Sequence, residues 1–226
     1  MTDDIQQDRT DPKKERRRES KEVRREQLMR ATIRTIAAKG YAGTKLADVA
    51  VTAGLSRGIV NFHFESKEKL FLETLHFMSE EYTAHWRQAL DTAAPFPAAR
   101  IEALVLCDLD EEVCNDAMIA AWFAFWAEAS NRADYRELCW SHDDDYLQRM
   151  EEVCTALKAE GGYAFDPAQI GALVYSMQEG LWLRLMVGGG SRTRQEALGI
   201  ARAALASLFP AHFDKTGSIR PEAASV

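Results

Sequence analysis

Thr44-Lys-Leu-Ala-Asp-Val-Ala-Val-Thr-Ala-Gly-Leu-Ser-Arg-Gly-Ile-Val-Asn-Phe-His-Phe-Glu-Ser-Lys67 is the stretch that decides the fold. Leu46, Val49 and Ala50 recur at helical spacing, the pattern breaks at Ala53-Gly54-Leu55, and Ile59, Val60 and Phe64 resume it. Gly54 tolerates the positive φ of a tight turn, and Ala50, four residues earlier, lets two helices cross closely. Thr44 and Ser56 stand where a side-chain oxygen accepts from the free N–H groups that open a helix. The spacing predicts a helix-turn-helix, whose second helix enters the major groove of duplex DNA. An ordinary αα-corner shares that spacing. Arg57, Asn61 and His63 on the outer face of the second helix favour DNA, because a corner needs nothing special there.

Charge points the same way. Residues 1 to 75 hold 16 Lys+Arg against 12 Asp+Glu, a net of +4; the other 151 residues hold 12 against 23, a net of −11. A basic head on an acidic body presents one end to phosphates. The basic cluster Lys13, Lys14, Arg16, Arg17 and Arg18 reads as a solvated tail or as an arm along the DNA backbone. No run approaches the ~18 apolar residues of a membrane span, and the charged N-terminus lacks a signal-peptide core. Cys107, Cys114, Cys139 and Cys154 show no CxxC spacing and read as reduced thiols of a cytoplasmic protein.

The periodicity predicts an all-α chain. A disordered charged tail over 1–19 is expected to lead into a DNA-binding domain at 20–66. A helical bundle for ligand binding and dimerisation follows at 67–210, and a loose tail closes the chain at 211–226. Helices are expected over 20–39, on either side of the Gly54 turn, from the Ser66 cap onward, and over 98–109, 112–130, 133–160, 167–187 and 193–209. The segment at 112–130 is apolar on every face and belongs at the centre of the body.

Several residues carry candidate chemistry. Arg57 offers a bidentate fork to guanine, Asn61 pairs with an adenine edge, Gly58 permits close backbone approach, and Phe62 either touches a thymine methyl or packs inside. Thr44, Lys45, Ser56, His63 and Lys67 sit at helix ends where phosphate is met. In the body, Trp122, Phe125, Trp126, Tyr146 and Trp182 supply aromatic faces, with Glu128, Asp143, Asp145 and Glu179 as nearby carboxylates. Such a set is either core or a cation–π cage for a quaternary ammonium. His142 with Asp143, Asp144 and Asp145 reads as a solvated acidic face, not a metal site. No catalytic constellation and no cofactor motif stands out, so an enzyme is not expected. Apolar stripes on the last two helices fit either a dimer interface or packing inside one subunit.

Together these residues resemble the TetR family of transcriptional regulators over roughly residues 22 to 210. The head motif is Thr44…Ala50…Gly54-Leu-Ser-Arg-Gly58…His63-Phe64…Lys67-Glu-Lys-Leu70, with Asn61 and His63 where the family pattern has tyrosine. Ala117-Met118…Ala121-Trp-Phe-Ala-Phe-Trp-Ala127, Tyr135-Arg136 and Gly180-Leu-Trp-Leu-Arg184 resemble its BetI-type branch. The resemblance implies a homodimer joined through the helices at 167–187 and 193–209, a palindromic DNA operator, repression of glycine betaine synthesis genes, and a response to choline whose sign the sequence leaves open. The alternative is a drug-efflux or other operon with a different cationic or aromatic inducer.

Overall fold

The computed structural model describes residues 12–224, with side chains described over 20–139 and 143–223. The sequence expectations for residues 1–11 and 225–226 lie outside the described residues. Every regular element among the described residues is a helix: α1 Pro12–Gly43, α2 Leu46–Ala53, α3 Arg57–His63, α4 Lys67–Thr92, α5 Pro97–Cys107, α6 Asp116–Ala129, α7 Ala133–Gly161, α8 Pro167–Gly188, α9 Arg194–Leu208, and a closing 3₁₀ turn Pro221–Ala224.

Local chemistry sets the boundaries. Ser56, Ser66, Asn115, Asp166 and Thr193 each accept a backbone N–H at a helix start. Pro97 and Pro167 occupy first helical positions, where the missing N–H costs nothing. α1 begins at Pro12, well before the expected start near Ser20. Residues 12–19 therefore continue the helix, because Lys, Arg and Glu are good helix formers even with no apolar face to bury. Thr44 departs from its expected role. Its hydroxyl is buried and donates to the Gly40 carbonyl, while Lys45 caps α2 and receives Asp48 on its own N–H.

α1, α2 and α3 form the head around Leu28, Ile36, Val49, Ala50, Val60 and Phe64. Gly54 has φ 66°, and Leu55 N–H returns to the Ala50 carbonyl (2.9 Å), a bond that ends α2 sharply. Helix C-termini leave carbonyls without intrahelical donors. Here α1 supplies them: Gln27 Nε2 donates to Ala53 O (2.8 Å) and Arg25 Nη1 to His63 O (2.9 Å). Arg25 also pairs with Glu73 and lies over the Phe64 ring at 4.6 Å. Both helices of the reading unit are thus fastened to one rod.

The head meets the body at an aromatic joint. Tyr41 packs edge-on against Phe71 (4.9 Å) and Phe125 (5.9 Å), and Phe125 against Tyr135 (5.7 Å). Arg132 Nη1 donates to the Tyr41 hydroxyl (3.1 Å), which shares a 2.9 Å hydrogen bond with the Tyr135 hydroxyl. Lys67 Nζ donates to the Tyr41 carbonyl (3.3 Å) and lies over the Phe71 ring at 4.9 Å. Offset and edge-on aromatic pairs add about 0.5–1.5 kcal/mol each beyond their burial, so the joint is strong.

The expected loose tail after residue 210 is folded. Phe213 is 1 % and His212 3 % exposed, Phe213 bridges to Ile219, and His212 Nδ1 hydrogen-bonds the Tyr163 hydroxyl (2.8 Å). Phe209 and Phe165 complete a ring cluster around Tyr163. Polar spacing hid two buried anchors in a segment of mixed composition. Phe213→Ala is expected to cost about 3–5 kcal/mol in urea unfolding; a loss below ~0.5 kcal/mol would mean that the segment is not docked.

Candidate DNA-reading face and ligand cavity

Arg57, Gly58, Asn61 and Phe62 are all exposed on one side of α3, while Val60 on the other side is buried. Phe62 is 77 % exposed, so it does not pack inside. Lys45 and Ser56 are exposed beside it. Three further positions behave differently from the sequence expectation. Thr44 is fully buried and spends its hydroxyl on Gly40. The His63 ring is half-buried, with Nδ1 enclosed and unpartnered. Burial, and then the nearby charges of Arg25, Lys21 and Arg24, lower its pKa, which favours the neutral ring. Lys67 turns its ammonium onto Tyr41 and Phe71 instead of outward. All three fall at helix ends that sequence spacing marks as rims but packing closes over.

The body encloses a cavity lined by Tyr82, Trp122, Trp126, Tyr175 and Trp182, with Asp108, Asp143, Glu179, Ser79 and Cys139. Four helices and one turn contribute: α4 gives Ser79 and Tyr82, the α5–α6 turn Asp108, α6 the tryptophans 122 and 126, α7 Cys139 and Asp143, and α8 the rest. The rings stand against one another, Tyr82 at 6.3 Å from Trp122 and 6.0 Å from Trp182, and Trp122 at 5.9 Å from Trp126. The cavity volume is ≈ 30 Å³, room for roughly two waters by that measure. A larger guest requires the walls to part.

Trp122, Trp126, Trp182 and Glu179, expected as ligand residues, line this space together. Phe125 and Tyr146 do not. Phe125 is buried in the joint with Tyr41, a rotation of one residue away from the cavity wall. Tyr146 is buried behind it, donating to Leu104 O (3.0 Å) and hydrogen-bonded with Gln178. Asp143, expected either beside the aromatic set or on an acidic face, lines the cavity and accepts from Tyr175 (2.7 Å), while Asp145 pairs with Arg87. Asp108, Tyr82 and Tyr175 went unread. A signal existed for one of them, since Asp108 closes the apolar run Ala103-Leu-Val-Leu-Cys107.

Among the described residues no basic side chain lines the cavity; the expectation for His142 lies outside the described side chains. Burial pushes Asp108 up to about 7, against the hydrogen bond from Tyr82 (2.6 Å), which favours the charged form. Burial also raises Asp143 and Glu179, the latter further because Asp143 is near. Among the described residues no group of His, Cys, Asp and Glu is arranged to hold a metal ion.

The sign of the pH effect follows. Asp108 titrates at about 4 in an unfolded chain and about 7 here, so between those values the folded state holds the extra proton. Stability falls as pH rises through that window, by an amount on the order of 4 kcal/mol when complete. Asp108→Asn keeps an acceptor for Tyr82 and removes the charge. It is expected to be more stable than wild type at pH 8 and to show a shallower pH dependence between pH 4 and 7 in urea unfolding. Parallel curves for the two proteins would refute the assignment.

Similarity to known proteins agrees with this architecture. Residues 28–74 match the family described as bacterial regulatory proteins, tetR family, and residues 97–210 match the BetI-type transcriptional repressor C-terminal family. The HTH-type transcriptional regulator BetI of Burkholderia thailandensis is 30 % identical over 189 residues, covering 80 % of this chain and 91 % of the relative. That of Burkholderia ambifaria is 31 % identical with the same coverage. Among solved structures, a transcriptional regulator from Pseudomonas aeruginosa PAO1 superposes with TM-score 0.71 at 23 % identity, over 91 % of this chain and 95 % of its own. A regulator from Saccharomonospora viridis, solved in complex with choline, superposes with TM-score 0.73 at 19 % identity, over 81 % and 96 %. The helix-turn-helix head, the all-helical body and these matches together establish that the chain belongs to the TetR family of transcriptional regulators and carries a BetI-type C-terminal domain.

Proposed function

We propose that this regulator is a homodimeric repressor that reads a palindromic DNA operator with α3, senses a quaternary ammonium such as choline in the body cavity, and controls genes of glycine betaine synthesis. One observation carries the ligand reading: five aromatic side chains and three carboxylates enclose one cavity whose lining, among the described residues, holds no basic group. A trimethylammonium offers diffuse charge and no donor, so aromatic faces hold it by cation–π attraction of roughly 0.5–2 kcal/mol each. The carboxylates add Coulomb attraction inside a low-dielectric space. The BetI relatives and the choline complex of the Saccharomonospora viridis protein support the same reading.

α8 and α9 suit the dimer. Of the expected stripes, Val174, Leu181, Ala197, Ala201 and Leu205 pack inside the subunit. Leu173, Leu183, Met186, Val187 and Ile200 remain exposed on the same two helices, which hold most of the exposed large apolar side chains among the described residues. Two heads joined there reach successive major grooves, roughly 34 Å apart. Ligand entry parts the cavity walls, moves Trp122 and Trp126, and with them α6, whose Phe125 bears on the head. The ligand acts as an inducer to the extent that it binds the head spacing unfit for DNA more tightly.

Calorimetry with choline is expected to give saturable binding of one molecule per subunit. Affinity rises from pH 6 to pH 8 as Asp108 ionises, and glycine betaine binds more weakly because its carboxylate faces three others. Absence of choline binding would return the tryptophans to a core role. On a duplex selected from a random pool, Arg57→Ala is expected to weaken binding by about 1–3 kcal/mol and relax one base preference; an unchanged preference would remove Arg57 from base reading.

A further inference from the structure

We infer that the cavity selects a cation that also carries a hydrogen-bond-accepting oxygen, which is bound by Ser79 Oγ and Trp122 Nε1. This deepens the quaternary ammonium reading and rests on it. Both atoms are buried without a hydrogen-bond partner, in residues that are 0 % and 6 % exposed, and both residues line the cavity. Their neighbours behave otherwise. Tyr82 donates to Asp108, Tyr175 to Asp143, and Trp182 Nε1 to the Asp108 carbonyl (2.8 Å). Among the buried N–H and O–H donors of this wall, Ser79 Oγ and Trp122 Nε1 are the two without a partner, and both residues line one space.

Buried donors without partners are uncommon, because losing water with nothing in exchange is unfavourable. A bare tetraalkylammonium has no acceptor, so it would seal both donors in unpaired. A cation bearing a hydroxyl or carbonyl satisfies one or both, and a hydroxyl can in turn donate to Asp108, Asp143 or Glu179. The carboxylates thus fix the charge of the ligand, and Ser79 with Trp122 read its oxygen. A pocket that hydrogen-bonds a ligand oxygen discriminates against the analogue lacking it more sharply than a purely apolar wall does.

The test compares choline with n-propyltrimethylammonium, in which a methyl replaces the hydroxyl at nearly equal size. Wild-type protein is expected to bind choline about five- to tenfold more tightly, the net effect of one or two neutral hydrogen bonds. In Ser79→Ala that ratio is expected to fall towards one. Independently, the indole N–H resonance of Trp122, assigned from a Trp122→Phe spectrum, is expected to shift with choline and not with the propyl analogue. Equal affinities with an unmoved indole resonance would overturn the inference while leaving the quaternary ammonium reading intact. Binding of neither compound would overturn both.

Discussion

The packing of Phe125 between Tyr41, Phe71 and Tyr135 is the constraint on which the rest of the molecule depends. It places α6 against the end of α1 and the start of α4. On the same helix, three residues before and one residue after, Trp122 and Trp126 form a wall of the cavity. A close-packed interior has no slack to absorb a wall movement locally. Expansion of the cavity therefore reaches the joint through one rigid element, and the joint holds Tyr41 by ring contacts, by Arg132 and by Lys67 at once. The polar part of the joint explains why Lys67 is unavailable at the DNA rim: its charge is used to seat the hinge.

The cavity is also where the body gives up stability. Burial raises the pKa of all three cavity carboxylates, and Glu179 beside Asp108 and Asp143 beside Glu179 add to it, which favours their protonated forms. Any cation bound there would favour the charged forms instead, linking its binding to folding through the same groups. The basic head and acidic body seen in the charge count fit this division. Positive charge collects on the helix-turn-helix end, and carboxylates line the cavity of the body.

What was legible in the sequence was local. Gly54 and the caps Ser56, Ser66 and Asp166 act through backbone geometry within four residues, so most elements and the exposed face of α3 followed from reading the chain alone, whereas α6 starts at its Asn115 cap, later than the expected 112. The cavity was only half legible. Trp122, Trp126, Trp182 and Glu179 lie at helical spacing that brings them to one side, but the same spacing made Phe125 and Tyr146 equal candidates. The choice among them is set by which neighbour each helix face meets, a nonlocal fact. Asp108, Tyr82 and Tyr175 belong to three separate segments joined only by tertiary packing. The C-terminal segment failed for a related reason: His212 is held by Tyr163, nearly fifty residues away, and Phe213 packs on Phe209, whose ring meets that of Tyr163.

The fastening of the head determines what kind of motion can release DNA. Arg25 and Gln27 of α1 supply donors to the terminal carbonyls of α3 and α2. Tilting α3 alone would break the bond from Arg25 and leave His63 O without its donor, a loss of about 1–3 kcal/mol if it stays buried. Tyr41 stands just past a non-helical break in α1 at Gly40 (φ 72°), roughly 20 Å from these caps, and its carbonyl accepts from the Thr44 N–H at the entry to α2. A displacement delivered at Tyr41 is therefore expected to carry α1, α2 and α3 together. The recognition helix keeps its own geometry, and what changes is its distance from the second copy in the dimer. Affinity for a palindrome is sensitive to that distance because both half-sites must be met at once. A small rotation at the Phe125 joint would therefore alter that distance without disturbing the exposed face of α3.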